Sequence, residues 1–306
     1  MSKNIQMLFR FGLALIVIVV GNYVIVAQTQ ISGDWTTSFK PEKSDKIHLS
    51  FERRSAKSGR NQMGQSFDFA DLQGLSRDQA KGAGAVRFSL VREAGTVDCE
   101  GRFENEKGAG TFRFTANPNF VSAMKAHDFD FEKPSKYNKG NELEDRLFAA
   151  TALNVTTALA DDLRTANFEN LDIDDLFKAA VFKIDGKYMA EMKASGFPNL
   201  TMEDLVKTKI FKIDAEYIRQ VREMGFENKN MEALTKLRIF KVTPEFIAEM
   251  RREGLNDLDV EDLVKLRIFN IDAAFIRKAK SENVPLEVEK LVQKRIGVTT
   301  KIDLGL

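Results

Sequence analysis

The fold is decided by the stretch LTKLRIFKVTPEFI, residues 234–247, because its pattern recurs along more than half of the chain. One phenylalanine marks the recurrence at intervals of 29 residues, as Phe182, Phe211, Phe240 and Phe269. A leucine column keeps the same step, as Leu147, Leu176, Leu205, Leu234 and Leu263. A fixed period of this size, with apolar residues in register, is typical of stacked repeats.

Two columns of capping residues divide each repeat into two short helices, here called helix A and helix B. Helix A is preceded by Asp172, Thr201, Asn230 and Asp259. Helix B is preceded by Thr156, Asp185, Asp214, Thr243 and Asp272. Such side chains accept hydrogen bonds from the free amides at a helix start, and Gly196, Gly225 and Gly254 suit a left-handed end of helix B. One copy then has helix A over 202–212 and helix B over 215–224.

Stacking must stabilise these helices, because a helix of about ten residues is marginal alone. Neighbouring copies that share one core satisfy this need, either as an α-solenoid or as a closed superhelical array. The predicted repeats span 143–171, 172–200, 201–229, 230–258 and 259–287. Residues 288–306 form a degenerate terminal cap.

Before the repeats, the pattern changes from helical to alternating. Residues 35–39, 47–51, 86–91 and 111–115 alternate apolar and polar side chains, as half-buried strands do. This predicts a small antiparallel β domain over 28–116, either a sandwich or a partly open barrel. Residues 117–142 hold an orphan helix B and a polar linker. The predicted fold class is therefore α+β with two domains, a β domain followed by a solenoid-like array of helical hairpins.

The first residues predict export. Lys3 and Arg10 precede an apolar run, and Ile25-Val26-Ala27 offers a signal-peptidase site before Gln28. We expect a signal peptide over 1–27 and a periplasmic or extracellular protein that leaves the membrane after cleavage. Retention of the segment as an N-terminal anchor is the alternative.

The residue inventory argues against an enzyme. A net charge of +1 gives no reason to expect a nucleic-acid partner, and two histidines and one cysteine cannot form a Cys/His metal cluster. No familiar nucleophile or phosphate-binding motif is present. We therefore predict no catalytic residue, no cofactor and no metal. Cys99 is expected to be a buried thiol, with an intermolecular disulfide as the alternative.

Charged columns accompany the apolar ones. The acidic column Asp145, Asp174, Glu203, Glu232 and Glu261 suits the first turn of helix A, with a lysine four residues later in most copies. A basic column near the end of helix B comprises Arg164, Lys193, Arg222, Arg251 and Lys280. These five residues, here called the basic ridge, either complement the helix dipole or bind an anionic partner.

The segments LTKLRIFKVTPEFI and LVKLRIF, residues 234–247 and 263–269, resemble helical repeats in the extracytoplasmic parts of bacterial membrane-bound metallopeptidases of the β-lactam-sensor type. The resemblance covers about residues 117–300, and the peptidase domain with its zinc motif is absent. It implies a bacterial envelope setting and a sensing or interaction role.

The function expected from these observations is non-catalytic binding or scaffolding of another envelope protein through the repeat surface. Repeat arrays expose extended surfaces that suit this task. A small-ligand or lipid carrier that uses the β domain as a barrel is the main alternative. An enzyme of unknown type and an end-to-end polymer are weaker ones.

Overall fold

The computed structural model describes residues 31–40, 45–55, 59–134, 142–166, 171–226 and 230–297. The expected signal peptide over 1–27, most of the polar linker and the last nine residues lie outside this described part.

The N-terminal part is one antiparallel sheet of seven strands in the order β3-β2-β1-β7-β6-β5-β4. Its strands are β1 Ile31–Ser38, β2 Ile47–Ser55, β3 Gly59–Phe67, β4 Leu72–Gln73, β5 Gly84–Arg92, β6 Gly95–Glu104 and β7 Lys107–Ala116. Between β4 and β5 lies α1, Arg77–Lys81, which Ser76 caps. The alternating segments fall on strands, except for Phe39, which directly follows β1, and this confirms the antiparallel β region. The edge strand β3 is polar and was not predicted, because no alternating apolar pattern marks it.

Trp35 lies at the centre of the apolar face of the sheet and is fully buried. Its Nε1 donates a hydrogen bond to the Glu100 carbonyl oxygen at 3.1 Å. Gly101 makes room for the indole, because a Cβ at this position would lie 2.7 Å from the Trp35 ring. Phe88 packs edge-on against it with 5.2 Å between ring centroids. The sheet face is thus filled by side chains.

The rest of the described chain is helical. Helix B copies are α2 Pro118–Ala126, α4 Thr157–Thr165, α6 Gly186–Ala194, α8 Ala215–Glu223, α10 Pro244–Arg252 and α12 Ala273–Ser281. Helix A copies are α3 Leu143–Leu153, α5 Ile173–Phe182, α7 Met202–Phe211, α9 Met231–Ile239, α11 Val260–Ile268 and α13 Val288–Arg295. This confirms the β region followed by helices, including the orphan helix B as α2.

The two capping columns are confirmed. Each predicted cap of helix A accepts a hydrogen bond from the third residue of its helix, as Thr201 does from the Asp204 amide at 3.2 Å. The caps of helix B do the same. Gly196, Gly225 and Gly254 have φ angles of 95°, 94° and 91°, in the left-handed region. Local capping chemistry therefore defines these boundaries to within one residue.

Successive helix A copies contact one another from α3 to α13, and α2, α4 and α6 do so among the helix B copies. The first helix A also packs on the sheet, where the Phe148 ring stacks on Phe112 with 5.3 Å between centroids. Arg53 of β2 pairs with Asp145 of α3 at 2.5 Å. One hydrophobic core consequently runs from Ile31 to Val292. The division into two domains and the solenoid description therefore stay predictions.

The phenylalanine column that marks the repeat is only half buried. Phe182, Phe211, Phe240 and Phe269 pack against the core without entering it, whereas the leucine column is fully buried. These phenylalanines stand at the C-terminal end of helix A, either as its last residue or as the residue that follows it. We therefore expect Phe240→Ala to cost less than the ~3–5 kcal/mol of a fully buried phenylalanine.

Candidate functional site

The basic ridge joins neighbouring repeats. The Lys193 ammonium donates to the Ala166 carbonyl at 2.9 Å, and Arg222 donates to that of Ser195 at 2.5 Å. Arg251 reaches the Met224 carbonyl at 3.4 Å. Each acceptor is the residue that ends the preceding helix B. These three cations therefore cap the helix before their own, in addition to complementing a dipole.

The two outer ridge residues bind carboxylates instead. Arg164 pairs with Asp161 of its own helix at 3.3 Å, and Lys280 pairs with Glu253 at 3.2 Å. Lys193 is half-buried and the other four ridge residues are exposed. The structure thus gives the ridge a structural role, and its recognition of a partner stays a prediction.

A second column of cations was not predicted from the sequence. Lys209, Arg238, Arg267 and Arg295 stand near the end of helix A and lie over the aromatic ring of the preceding helix B. Arg238, for example, lies 4.3 Å from the centroid of Tyr217 and donates to the Phe211 carbonyl at 3.1 Å. Such a cation stabilises by attraction to the ring and by closing a free helix end. The spacing of 29 residues, and of 28 to Arg295, was visible in the sequence, but the partner ring is distant in sequence.

The acidic column also joins repeats, through ion pairs between copies that the sequence did not predict. Lys178 reaches Glu203 of the next helix A at 2.5 Å, and Lys236 reaches Glu261 at 2.7 Å. The predicted pair within a helix is present for Glu232 and Lys236, at 3.0 Å. Hydrogen bonds to Glu261 and then to Glu232 raise the pKa of the Lys236 ammonium.

One apolar column has no cover in the described part of the chain. Of the seven large apolar side chains exposed there, five follow the repeat, one at the end of each helix A from α5 to α13. These residues, here called the aliphatic row, are Val181 (49% exposed), Ile210 (54%), Ile239 (47%), Ile268 (49%) and Ile296 (54%). Singly exposed apolar residues are common, but an apolar residue that is exposed at the same position of five successive copies makes this side of the array a candidate interaction surface.

Lysines adjoin the aliphatic row at a costly backbone position. Lys183, Lys212 and Lys241 are exposed and have φ angles of 56°, 53° and 52°. The left-handed region disfavours residues other than glycine and asparagine by roughly 1 kcal/mol. The equivalent residues of two other copies are the better suited Asn154 and Asn270, with φ angles of 56° and 49°. The lysines are therefore placed against the backbone preference.

The exposed face of the sheet forms a concavity of about 740 Å³. Charged side chains line it, among them Asp34, Arg87, Asp98, Glu100 and Arg113. Arg87 pairs with Glu100 at 3.3 Å, and Ser89 donates to Asp98 at 2.6 Å. These groups satisfy one another across the strands and form a polar surface.

Cys99 lies on the other side of the same sheet and is 2% exposed. Burial, and then the negative charge of Asp98, raises the pKa of its thiol. The Cys99 side chain is a buried thiol, as expected.

Comparisons with protein-family models, with curated proteins and with solved structures found no match. The resemblance to envelope metallopeptidase repeats therefore stays a prediction. In the described residues, no helix combines the length and apolar character that a membrane span needs.

Proposed function

We propose that this protein is a non-catalytic module of the bacterial envelope that binds or scaffolds another protein through the surface of its helical repeats. The aliphatic row carries the proposal. Burying one half-exposed isoleucine contributes roughly 1 kcal/mol, so five in line supply enough for specific binding when a partner covers them together. The apolar run before Gln28 and the resemblance of the repeats support the envelope setting.

The repeats suit a scaffold because their cations are committed to holding the copies together. Arg238 and Arg267 connect helix A copies, and Arg222 connects helix B copies. These contacts fix the spacing of the aliphatic row without a ligand, so a partner meets a preorganised surface. By contrast, aromatic rings fill the apolar face of the sheet, and charged side chains are among the residues that line the concavity on its other face. No described feature therefore favours the carrier alternative.

Site-directed photocrosslinking in intact bacteria tests the proposal. A photoreactive phenylalanine analogue replaces Ile239 in one variant and Glu249 in the other. Glu249 is an exposed residue of α10 outside the aliphatic row. We expect one discrete protein to crosslink at position 239, to be lost when Ile210 and Ile268 are changed to serine, and to be missing at position 249. Equal crosslinking at both positions would contradict the proposal, as would none at position 239.

A further inference from the structure

The aliphatic row and its lysines define the chemistry of the partner. We propose that Val181, Ile210, Ile239, Ile268 and Ile296, with Lys183, Lys212 and Lys241, bind an acidic, extended segment of a protein that presents an aliphatic side chain at every third residue. This inference rests on the proposed function and names the kind of segment that the surface takes.

Charge selects an acidic partner. The row lies in five short segments at the ends of the helix A copies: AVFK at 180–183, KIFK at 209–212, RIFK at 238–241, RIFN at 267–270 and RIG at 295–297. They contain seven cations and no carboxylate. A second copy of this chain would place two such surfaces together, and the repulsion of like charges opposes that arrangement.

Repeat spacing selects an extended segment. Packed helices lie about 8–10 Å apart, so the row spans about 32–40 Å over its four steps. A polyproline-type segment advances about 9.3 Å in three residues and returns the same side of the chain to the surface at each turn. Thirteen residues then present five side chains to the row. A helix would present its side chains about 10.5 Å apart, over seven residues, and matches the spacing less well.

A narrow segment fits better than a membrane surface. The residues that stand seven positions before the row are acidic in every copy: Asp174, Glu203, Glu232, Glu261 and Glu289. Seven residues return to the same helix face about 10.5 Å away. The four glutamates among these carboxylates pair with lysines, so an anionic bilayer broad enough to cover the row would also lie against paired charges that offer it no net attraction, whereas a single segment follows the row and its cations.

The backbone gives an independent indication that the lysines serve binding. Lys212 and Lys241 occupy left-handed positions that asparagine fills at lower cost in other copies. Lys212→Asn with Lys241→Asn is therefore expected to leave the melting temperature unchanged or to raise it. If the lysines bind carboxylates, the same variant loses affinity for an acidic peptide. Stability and binding then change in different directions.

The test uses the purified full chain and labelled fifteen-residue peptides of five repeats each, with fluorescence anisotropy as the readout. The probe repeats Leu-Glu-Pro, and its controls repeat Leu-Lys-Pro and Ser-Glu-Pro. We expect binding of the first peptide only. Serine at Ile210, Ile239 and Ile268 should weaken it roughly three- to tenfold per residue. Asparagine at Lys212 and Lys241 should weaken it by a factor that shrinks with added salt.

Two matched control variants should bind the Leu-Glu-Pro peptide as the native chain does. Val91→Ser changes an apolar residue of β5 that is 45% exposed, and Lys278→Asn changes an exposed lysine of α12. No binding of Leu-Glu-Pro up to about 1 mM overturns the inference, as does equal binding of Leu-Lys-Pro. So does binding to phosphatidylglycerol vesicles that the peptide does not inhibit. A row-dependent crosslink in cells without peptide binding would leave the proposed function standing and refute this segment alone.

Discussion

Two tyrosines at equivalent positions should respond oppositely to removal of their hydroxyl groups. Tyr188 donates a hydrogen bond to the Thr208 hydroxyl at 2.7 Å. Tyr217 is 6% exposed, and its hydroxyl is buried without a hydrogen-bond partner in the described part of the chain. The difference follows from the next repeat, because Leu237 stands where Thr208 would be. Tyr188→Phe and Tyr217→Phe thus form a matched pair.

The expected magnitudes follow from these contacts. Tyr188→Phe removes one hydrogen bond and should lower the free energy of unfolding by ~0.5–1.5 kcal/mol. Tyr217→Phe removes a polar group that lost its water without compensation, and should raise the free energy by about 1 kcal/mol. A cation lies over each ring, Lys209 at 3.5 Å and Arg238 at 4.3 Å from the centroid, and remains there in both variants. The attraction between cation and ring therefore contributes nearly equally to each variant and its parent, and largely cancels in the difference between them.

Alkaline pH should widen the advantage of Tyr217→Phe. Burial raises the pKa of Tyr217 to about 12, although the positive charge of Arg238 opposes the shift. In the unfolded chain a tyrosine ionises near pH 10. Between these values the unfolded state loses its proton first, so native stability is complete below about pH 10 and falls above it. At pH 11 this tyrosine alone should cost the native protein about 1.4 kcal/mol relative to pH 7, and the phenylalanine variant is spared that loss.

Urea unfolding of the native chain and both variants, followed by circular dichroism at pH 7 and pH 11, measures these differences. The comparison requires a single transition with equal slopes, since a change of slope would signal altered cooperativity. Shifts of the two midpoints in the same direction at pH 7 would refute the assignment of an unsatisfied hydroxyl to Tyr217. An advantage of Tyr217→Phe that does not grow at pH 11 would refute the argument about its ionisation.

Three further predictions concern the repeat contacts and export. Arg267→Met should lower the free energy of unfolding by ~1.5–3 kcal/mol, since it removes a charged donor to the Lys241 carbonyl and the cation 4.2 Å above Phe246. The control Lys278→Met should change this free energy by less than about 0.5 kcal/mol. Urea unfolding of both variants measures the difference. Glutamate at the three ridge residues that cap the preceding helix should lower the melting temperature markedly without weakening Leu-Glu-Pro binding, whereas an unchanged melt would argue against the capping role. The mature protein should begin at Gln28, and an intact mass that includes residues 1–27 in an envelope fraction would contradict this.

Local chemistry explains how much of the fold the sequence could predict. Some features depend only on neighbours within a few residues, so the sequence predicted them. They include the helix starts at Thr201 and Asp214 and the left-handed conformation of Gly225. Contacts between copies, such as that of Arg238 with Tyr217, depend on how far each copy is rotated against the next. The periodic pattern of the sequence does not reveal the angle of that rotation. The charged columns were therefore found, but their partners were not.

The aliphatic row, likewise, could be predicted from the sequence only in part. Ile210 lies five residues after the buried Leu205, about 140° around the helix, so its phase already separated it from the core column. Such a phase is equally consistent with burial against a neighbouring copy. Only the stacked arrangement shows that the next copy leaves this side of helix A open.

Comparison of the copies separates three explanations for the lysines. If they only complemented the dipole of helix A, every copy would carry a cation, because every helix A ends in the same free carbonyls. If backbone cost alone decided, asparagine or glycine would fill every left-handed position. The first copy, which packs on the sheet, has Asn154 beside Ala152, which is 3% exposed. The next three copies have lysine beside an exposed valine or isoleucine, whereas the last two have Asn270 and Gly297 beside the exposed Ile268 and Ile296. A ligand whose acidic groups contact only the middle copies accounts for the three lysines, and it places the strongest contacts of an acidic segment on the copies that carry Val181, Ile210 and Ile239.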